Sequence, residues 1–139
     1  MKLFTRPRSP YARLPFFSGW SDAELARLDR LAEVIDYEPG EILAAGGVKA
    51  KEFLIVVVGE VDILDGRRRL GTLGVGDTIG EQGMLSDAVS PVAFVAQTYV
   101  RALVLGSRQF HGLLYESPSM GRRLSVMLAQ RLASHPTPA

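Results

Sequence analysis

The sequence contains no cysteine. That removes disulfide frameworks, thiolate zinc sites, iron–sulfur clusters and cysteine nucleophiles together, and it fits a reducing cytoplasm. Histidine is almost as scarce. His111 falls in a short apolar segment and His135 in the C-terminal tail, and neither has a neighbour at metal-ligand spacing. No Gly-x-Ser-x-Gly elbow, P-loop or dinucleotide fingerprint occurs, so the chain is expected not to be an enzyme. No charge sign dominates: 16 basic against 15 acidic residues leave a formal net charge of +1, with no broad field for gripping a polyanion. Long apolar runs are missing as well. The strongest, Phe53 to Val58, is far short of the roughly 20 residues that span a bilayer, so no membrane insertion is expected. Lys2, Arg6, Arg8 and Arg13 lie among Pro7, Pro10 and Pro15, which break any apolar signal segment. Cytoplasmic residence is the expectation.

What is present is the composition of one soluble domain: 139 residues, 47% apolar and 22% charged. Residues 1–13 read as a basic arm. An arm of this kind offers an anionic surface or a nucleic acid a contact that salt would screen. Ser21-Asp22-Ala23-Glu24 has capping-box spacing, and Leu25, Leu28, Ala32 and Ile35 recur at three- and four-residue intervals. A helix with one buried face is therefore expected there. Phe16, Phe17 and Trp20, just before it, are expected in the main core.

From Tyr37 to about Leu105 most of the 14 glycines separate short β-branched runs, the pattern of a β-roll or jelly roll. Strands are expected at Glu41 to Ala45, at Phe53 to Val58 and around Val61 and Ile63. Asp65-Gly66 reads as a two-residue hairpin turn with positive φ angles, returning through Arg67, Arg68, Arg69 and Leu70. Val92 to Ala96 and Tyr99 to Leu105 read as a final strand pair joined at Gln97-Thr98. Ser107 is placed to cap a short helix carrying Phe110, Leu113 and Leu114. Ser117-Pro118 opens a longer helix through Leu132, with Met120, Leu124, Met127 or Leu128, and Leu132 on one stripe. The expected fold is thus mainly β with flanking helices: an N-terminal helix, a roll and two C-terminal helices. The domain is assigned to residues 14–132, and residues 133–139, with Pro136 and Pro138, to a tail.

The segment richest in chemical signals is Gly76-Asp77-Thr78-Ile79-Gly80-Glu81-Gln82-Gly83-Met84-Leu85. A strand entering glycine and then a helical turn presents unpaired N–H groups, an anion cradle, beside a carboxylate suited to sugar hydroxyls. A glycine-rich loop of the roll accounts for the same residues without a ligand.

The succession Leu14-Pro15-Phe16-Phe17, Pro39-Gly40-Glu41, Val58-Gly59-Glu60-Val61, Gly76-Asp77, Ile79-Gly80-Glu81, Phe110 and Leu128-Ala129-Gln130-Arg131-Leu132 resembles the cyclic-nucleotide-binding domain. This is the module of catabolite activator protein and of protein kinase A regulatory subunits, and the likeness runs over residues 14–132. It implies a double-stranded β-helix with a phosphate-binding cassette from Gly80 to about Ala93, and a closing helix that moves when ligand binds. It implies further that Glu81 holds ribose, with Gly80 and Gln82 beside it. It places Gly83 and Met84 where the cassette helix begins, and makes Ile63 and Leu70 pocket walls.

One family position is altered. The arginine that pairs with the cyclic phosphate should stand nine or ten residues after Glu81, where this chain has Ser90 and Pro91, followed by Val92 and Ala93. No lysine or arginine lies between Arg69 and Arg101. Removing one member of a buried charge pair costs about 2–5 kcal/mol, or on the order of 30- to several-thousand-fold in affinity. Proline also deletes a backbone donor. Binding of cyclic AMP or cyclic GMP is therefore expected to be weak or lost, and no other cofactor is implied. The alternative is a working sensor in which Arg69, Arg101 or Arg131 substitutes. With seven residues after Leu132 no helix-turn-helix is expected, so action is assigned to a protein partner. The closing helix, through Val126, Met127 and Leu128, is the expected contact, for that partner or for a second copy of the chain.

Overall fold

The computed structural model describes residues 11–134; most of the basic arm, with Lys2, Arg6 and Arg8, and the tail from His135 lie outside them. Tyr11, Ala12 and Leu14 pack against the core ahead of a 3-10 turn at Pro15–Phe17. Helix α1 spans Asp22–Leu31. Its capping box forms as the spacing predicts: the Glu24 N–H donates to Ser21 Oγ at 3.1 Å, and the Ser21 N–H donates to Glu24 Oε1 at 3.0 Å. Leu25 and Leu28 are buried on one face. Ala32 and Ile35 do not continue that face. Ala32 is the C-cap, and strand β1, Glu33–Tyr37, begins at once. Pairing of the β-branched Val34 and Ile35 with a distant strand overrides the helical spacing, so the β region starts four residues earlier than expected.

The remaining strands are β2 Ile42–Ala44, β3 Glu52–Val58, β4 Val61–Asp65, β5 Arg68–Leu73, β6 Thr78–Ile79, β7 Ala93–Ala96 and β8 Val100–Gly106. They form two antiparallel sheets, ordered β1-β8-β3-β6 and β2-β7-β4-β5. The expected hairpin of the last two strands is not made. β7 pairs with β2 and β4, whereas β8 crosses to the other sheet and pairs with β1 and β3. β3 and β4 likewise belong to different sheets, and the two crossing points meet. The Gln97 N–H donates to the Glu60 carbonyl at 2.9 Å, and the Glu60 N–H donates to Thr98 Oγ1 at 3.0 Å. Gly59, at φ +95°, leaves no room there: a Cβ would lie 2.0 Å from the Tyr99 carbonyl oxygen.

The β4–β5 turn is also shifted by one residue. Asp65 pairs with Arg68, so the loop is Gly66-Arg67, and only Gly66 takes positive φ. Glycine at the first loop position with an ordinary second residue is the type II′ pattern, which suits the strand twist as well as the expected turn. β5 then bulges at Leu70, because Ile63 lies opposite Gly71 while Leu64 lies opposite Arg69.

The first sheet is buried on both faces. Phe53, Ile55, Val57, Leu103 and Leu105 meet the helices and the Phe16-Phe17-Trp20 cluster. Leu54, Val56, Ala102 and Val104 line the roll with Val61, Ile79 and Ala96. This two-sided burial is why β3 reads as an unbroken apolar run. Helix α3, Ser107–Glu116, takes Gly106 as its N-cap. Ser107 is its first residue and makes no cap. Helix α4, Pro118–Ser134, buries Met120 and Leu124, while Met127 packs part-buried on the same cluster.

Candidate functional site

Sequence places the candidate cassette between β6 and β7, and three glycines decide how closely it packs. Asp77 prepares its entry by accepting the Gly74 N–H on Oδ2 at 2.8 Å, while its carbonyl accepts the Val56 N–H at 3.0 Å. Gly80, at φ +95°, is the N-cap of the five-residue helix α2, Glu81–Leu85. A Cβ there would lie 2.2 Å from the Glu52 carbonyl oxygen, so the left-handed turn and the close approach both require glycine. Helix α2 therefore begins at Glu81, two residues ahead of the Gly83–Met84 start that the resemblance implied. Gly83 faces Ala50, with a hypothetical Cβ 2.7 Å from the alanine methyl. Gly46 faces Pro91, its Cβ position 2.5 Å from the proline carbonyl oxygen.

Glu81 is 2% exposed, and Met84 packs into the helix-side core, while Gln82 points to solvent. The Gln82 carbonyl accepts from both the N–H and the hydroxyl of Ser86, closing α2. The chain then returns along the β2–β3 connection. Lys49 Nζ lies 2.6 Å from Asp87 Oδ1, Lys49 bridges to Val89, and the Gly47 N–H donates to the Ser90 carbonyl at 2.8 Å. The Lys49 ammonium, by hydrogen bond and then by charge, lowers the Asp87 pKa. Residues 46–50 thus brace the candidate cassette. Sequence reasoning assigned Gly46-Gly47 only to a turn, and nothing local links Lys49 to an aspartate 38 positions on.

At the position of the expected arginine, Ser90 turns its hydroxyl inward along the chain. Its Oγ accepts the Val92 N–H at 3.3 Å, a local side-chain turn that occupies one of the cassette's own donors. Ala93 then enters β7 opposite Leu64, and Phe94 lies opposite Ile63. Alternation from buried Val61 puts Ile63 on the inner face of the roll, where its Cδ1 approaches Gly71. Leu70, at the β5 bulge, is 51% exposed.

The substitute arginines have other partners. Arg101 Nε donates to Asp36 Oδ1 at 2.7 Å, and the Tyr99 hydroxyl donates to the same oxygen at 2.7 Å. Hydrogen bonds from Arg101 and then Tyr99 lower the Asp36 pKa, and the same aspartate raises those of Arg101 and Tyr99. Asp36 lies opposite Arg101 on the face of the first sheet turned away from the roll interior, since its neighbours Ile35 and Tyr37 pack inside. Arg69 Nη1 lies 3.7 Å from Asp62 Oδ1, which also accepts from Gln97 Nε2 at 3.1 Å. Asp62 alternates with Val61 and Ile63 and so faces out. The Arg131 side chain lies outside the described residues. Of the closing-helix residues, Val126 is 46% exposed, and Met127 and Leu128 are part-buried. Among the described residues no cluster of three or more His, Asp or Glu could hold a metal ion.

Comparison with known proteins places this geometry. Residues 34–117 match the family described as the cyclic nucleotide-binding domain. Over 131 residues the chain is 31% identical to acetyltransferase Pat of Mycolicibacterium smegmatis, covering 91% of this chain and 39% of Pat. The catabolite activator protein of Thermus thermophilus superposes with a TM-score of 0.75 at 25% identity, covering 86% of this chain and 59% of that one. The regulatory subunit of a cAMP-independent protein kinase A from Trypanosoma brucei also gives 0.75 at 25% identity, covering 93% and 48%. The chain thus spans less than two thirds of each of these relatives. What it shares with them is the roll with its flanking helices, and by the family match it belongs to the cyclic nucleotide-binding domain family.

Proposed function

We propose that the chain is a non-enzymatic regulatory module that acts through a protein partner, with cyclic AMP and cyclic GMP binding weak or lost. The observation that carries this reading is the hydrogen bond from the Val92 N–H to Ser90 Oγ where an arginine would meet the cyclic phosphate. The position supplies no positive charge, and one of its donors is already taken. The outward pairing of Arg69 with Asp62 and Arg101 with Asp36 supports the same conclusion. A relative named as a cAMP-independent kinase regulatory subunit shares the fold, in keeping with a role that does not depend on cyclic AMP.

The partner contact is assigned to α4, where Val126 is exposed and Leu128 part-buried. A second copy of the chain is the other candidate for that face. Among the described residues no helix is long and apolar enough to cross a membrane, and the absence of cysteine fits the cytoplasm. Titration calorimetry with cyclic AMP and cyclic GMP to millimolar ligand tests the reading. Silence supports it. Saturable micromolar binding overturns it in favour of a sensor that uses another arginine.

A further inference from the structure

The carboxylate of Glu24 does more than close the capping box of its own helix. Its Oε1 accepts the Ser21 N–H at 3.0 Å and the Ser119 hydroxyl at 2.8 Å. Its Oε2 accepts the Ser119 N–H at 3.1 Å and the Ser117 hydroxyl. Ser117 ends α3, donating its N–H to the Leu113 carbonyl at 2.8 Å, and Pro118 starts α4. A helix start leaves its first N–H groups without internal partners, and a carboxylate is the acceptor best suited to them in charge and direction. In α4 that acceptor comes from α1, 95 residues away in sequence. Ser117 and Ser119 are both buried, so water does not readily replace it. Arg122 donates to Ser119 Oγ at 3.1 Å within α4, and Arg27 on α1 pairs with Glu116 on α3 at 2.6 Å, a second tie across the junction.

We infer that Glu24 is a positioning residue that latches the start of α4 to the start of α1, so that α4 cannot pivot at Ser117-Pro118 without releasing α1's capping carboxylate. The latch couples the chain ahead of α1 to the closing helix. It depends on neither a nucleotide nor a partner, and it stands whether or not the functional reading above does.

Glu24→Gln separates the two roles. Glutamine still completes a capping box through its carbonyl oxygen. Once that oxygen is engaged, its amide nitrogen faces the Ser119 N–H, a donor opposed to a donor. The test is amide hydrogen exchange on the full chain at neutral pH. In the parent the amides of Leu25 and Ser119 open together. In Glu24→Gln the segment from Ser119 to Arg122 exchanges roughly 10- to 100-fold faster, as loss of a charged hydrogen bond implies, while Leu25, whose capping box is kept, holds its protection. Ser119→Ala, made on the far side of the contact, accelerates the same segment by less. Unchanged protection at 119–122 overturns the latch. So does an equal acceleration of Leu25, which would confine the loss to the cap of α1 itself.

Discussion

Glu24 and Ser119 are joined twice, hydroxyl to Oε1 and N–H to Oε2, so one carboxylate caps both the first long helix and the last. Burial by itself raises the Glu24 pKa. The hydrogen bonds from Ser117, Ser21 and Ser119 outweigh it and hold the carboxyl at about 2, against 4.5. The folded-state pKa is therefore depressed, and the stabilisation is present above about pH 4.5 and is lost as pH falls towards 2. With a discount for partial exposure it amounts to on the order of 2 kcal/mol. Urea unfolding of the parent and Glu24→Gln should show a gap at pH 7 that narrows below pH 4.5 and closes near pH 2. A gap that is constant with pH would refute the assignment.

Ser90→Arg is expected to restore affinity for cyclic AMP. It supplies the missing charge and releases the Val92 N–H from the Ser90 hydroxyl. Recovery of even the lower end of a charge pair's worth tightens binding at least tenfold by calorimetry. Glu81→Ala in that background should abolish the gain. No change from Ser90→Arg would place the defect elsewhere in the cassette.

Gly80→Ala introduces a Cβ 2.2 Å from the Glu52 carbonyl oxygen at a residue with φ +95°. Backbone strain and the clash add, and the expected loss is about 2–4 kcal/mol. Gly76→Ala, at similar φ but with open space around its Cβ, should cost less. Thermal melts of the two variants compare strain alone with strain plus collision.

Phe110→Ala removes a fully buried ring whose centroid lies 4.8 Å from that of Phe53. The cavity lies where α3 crosses the first sheet, and a loss of about 3–5 kcal/mol is expected in denaturant unfolding.

Val126→Glu places a charge on the exposed part of α4. Folding stability should change by less than about 0.5 kcal/mol, as for other surface substitutions. Partner capture, or self-association by light scattering, should fall. If neither changes while the protein remains folded, the assignment of the contact to α4 is wrong.

Features set by a few neighbouring residues were legible in the sequence. The Ser21–Glu24 box, the strand from Phe53 to Val58 and the glycine-flanked cassette each carry their own signal. Errors arose where a distant partner decides. Ala32 and Ile35 kept helical spacing, but β8 drew Ile35 into a sheet. Val92–Ala96 and Tyr99–Leu105 looked like a hairpin because nothing local marks a change of sheet. The stacking of the Glu60 and Thr98 corners determines it. The turn at Gly80 and the short helix after it were readable, whereas the contacts made to that segment from Gly46 to Ala50 were not. Glu24 was recognised for its local role, and its hold on Ser117 and Ser119 is a product of tertiary packing.

Strand β3 forms the partition between two interiors. Phe53 and Ile55 look toward the helices, and Leu54 and Val56 look into the roll. Consecutive positions on one rigid strand therefore report separately. A fluorinated ring at Phe53 registers rearrangement of α3 against the sheet, while a labelled methyl at Leu54 registers what enters or leaves the roll. The two signals, read in one sample, give the order of events: whether the roll changes first and the helices follow, or the reverse.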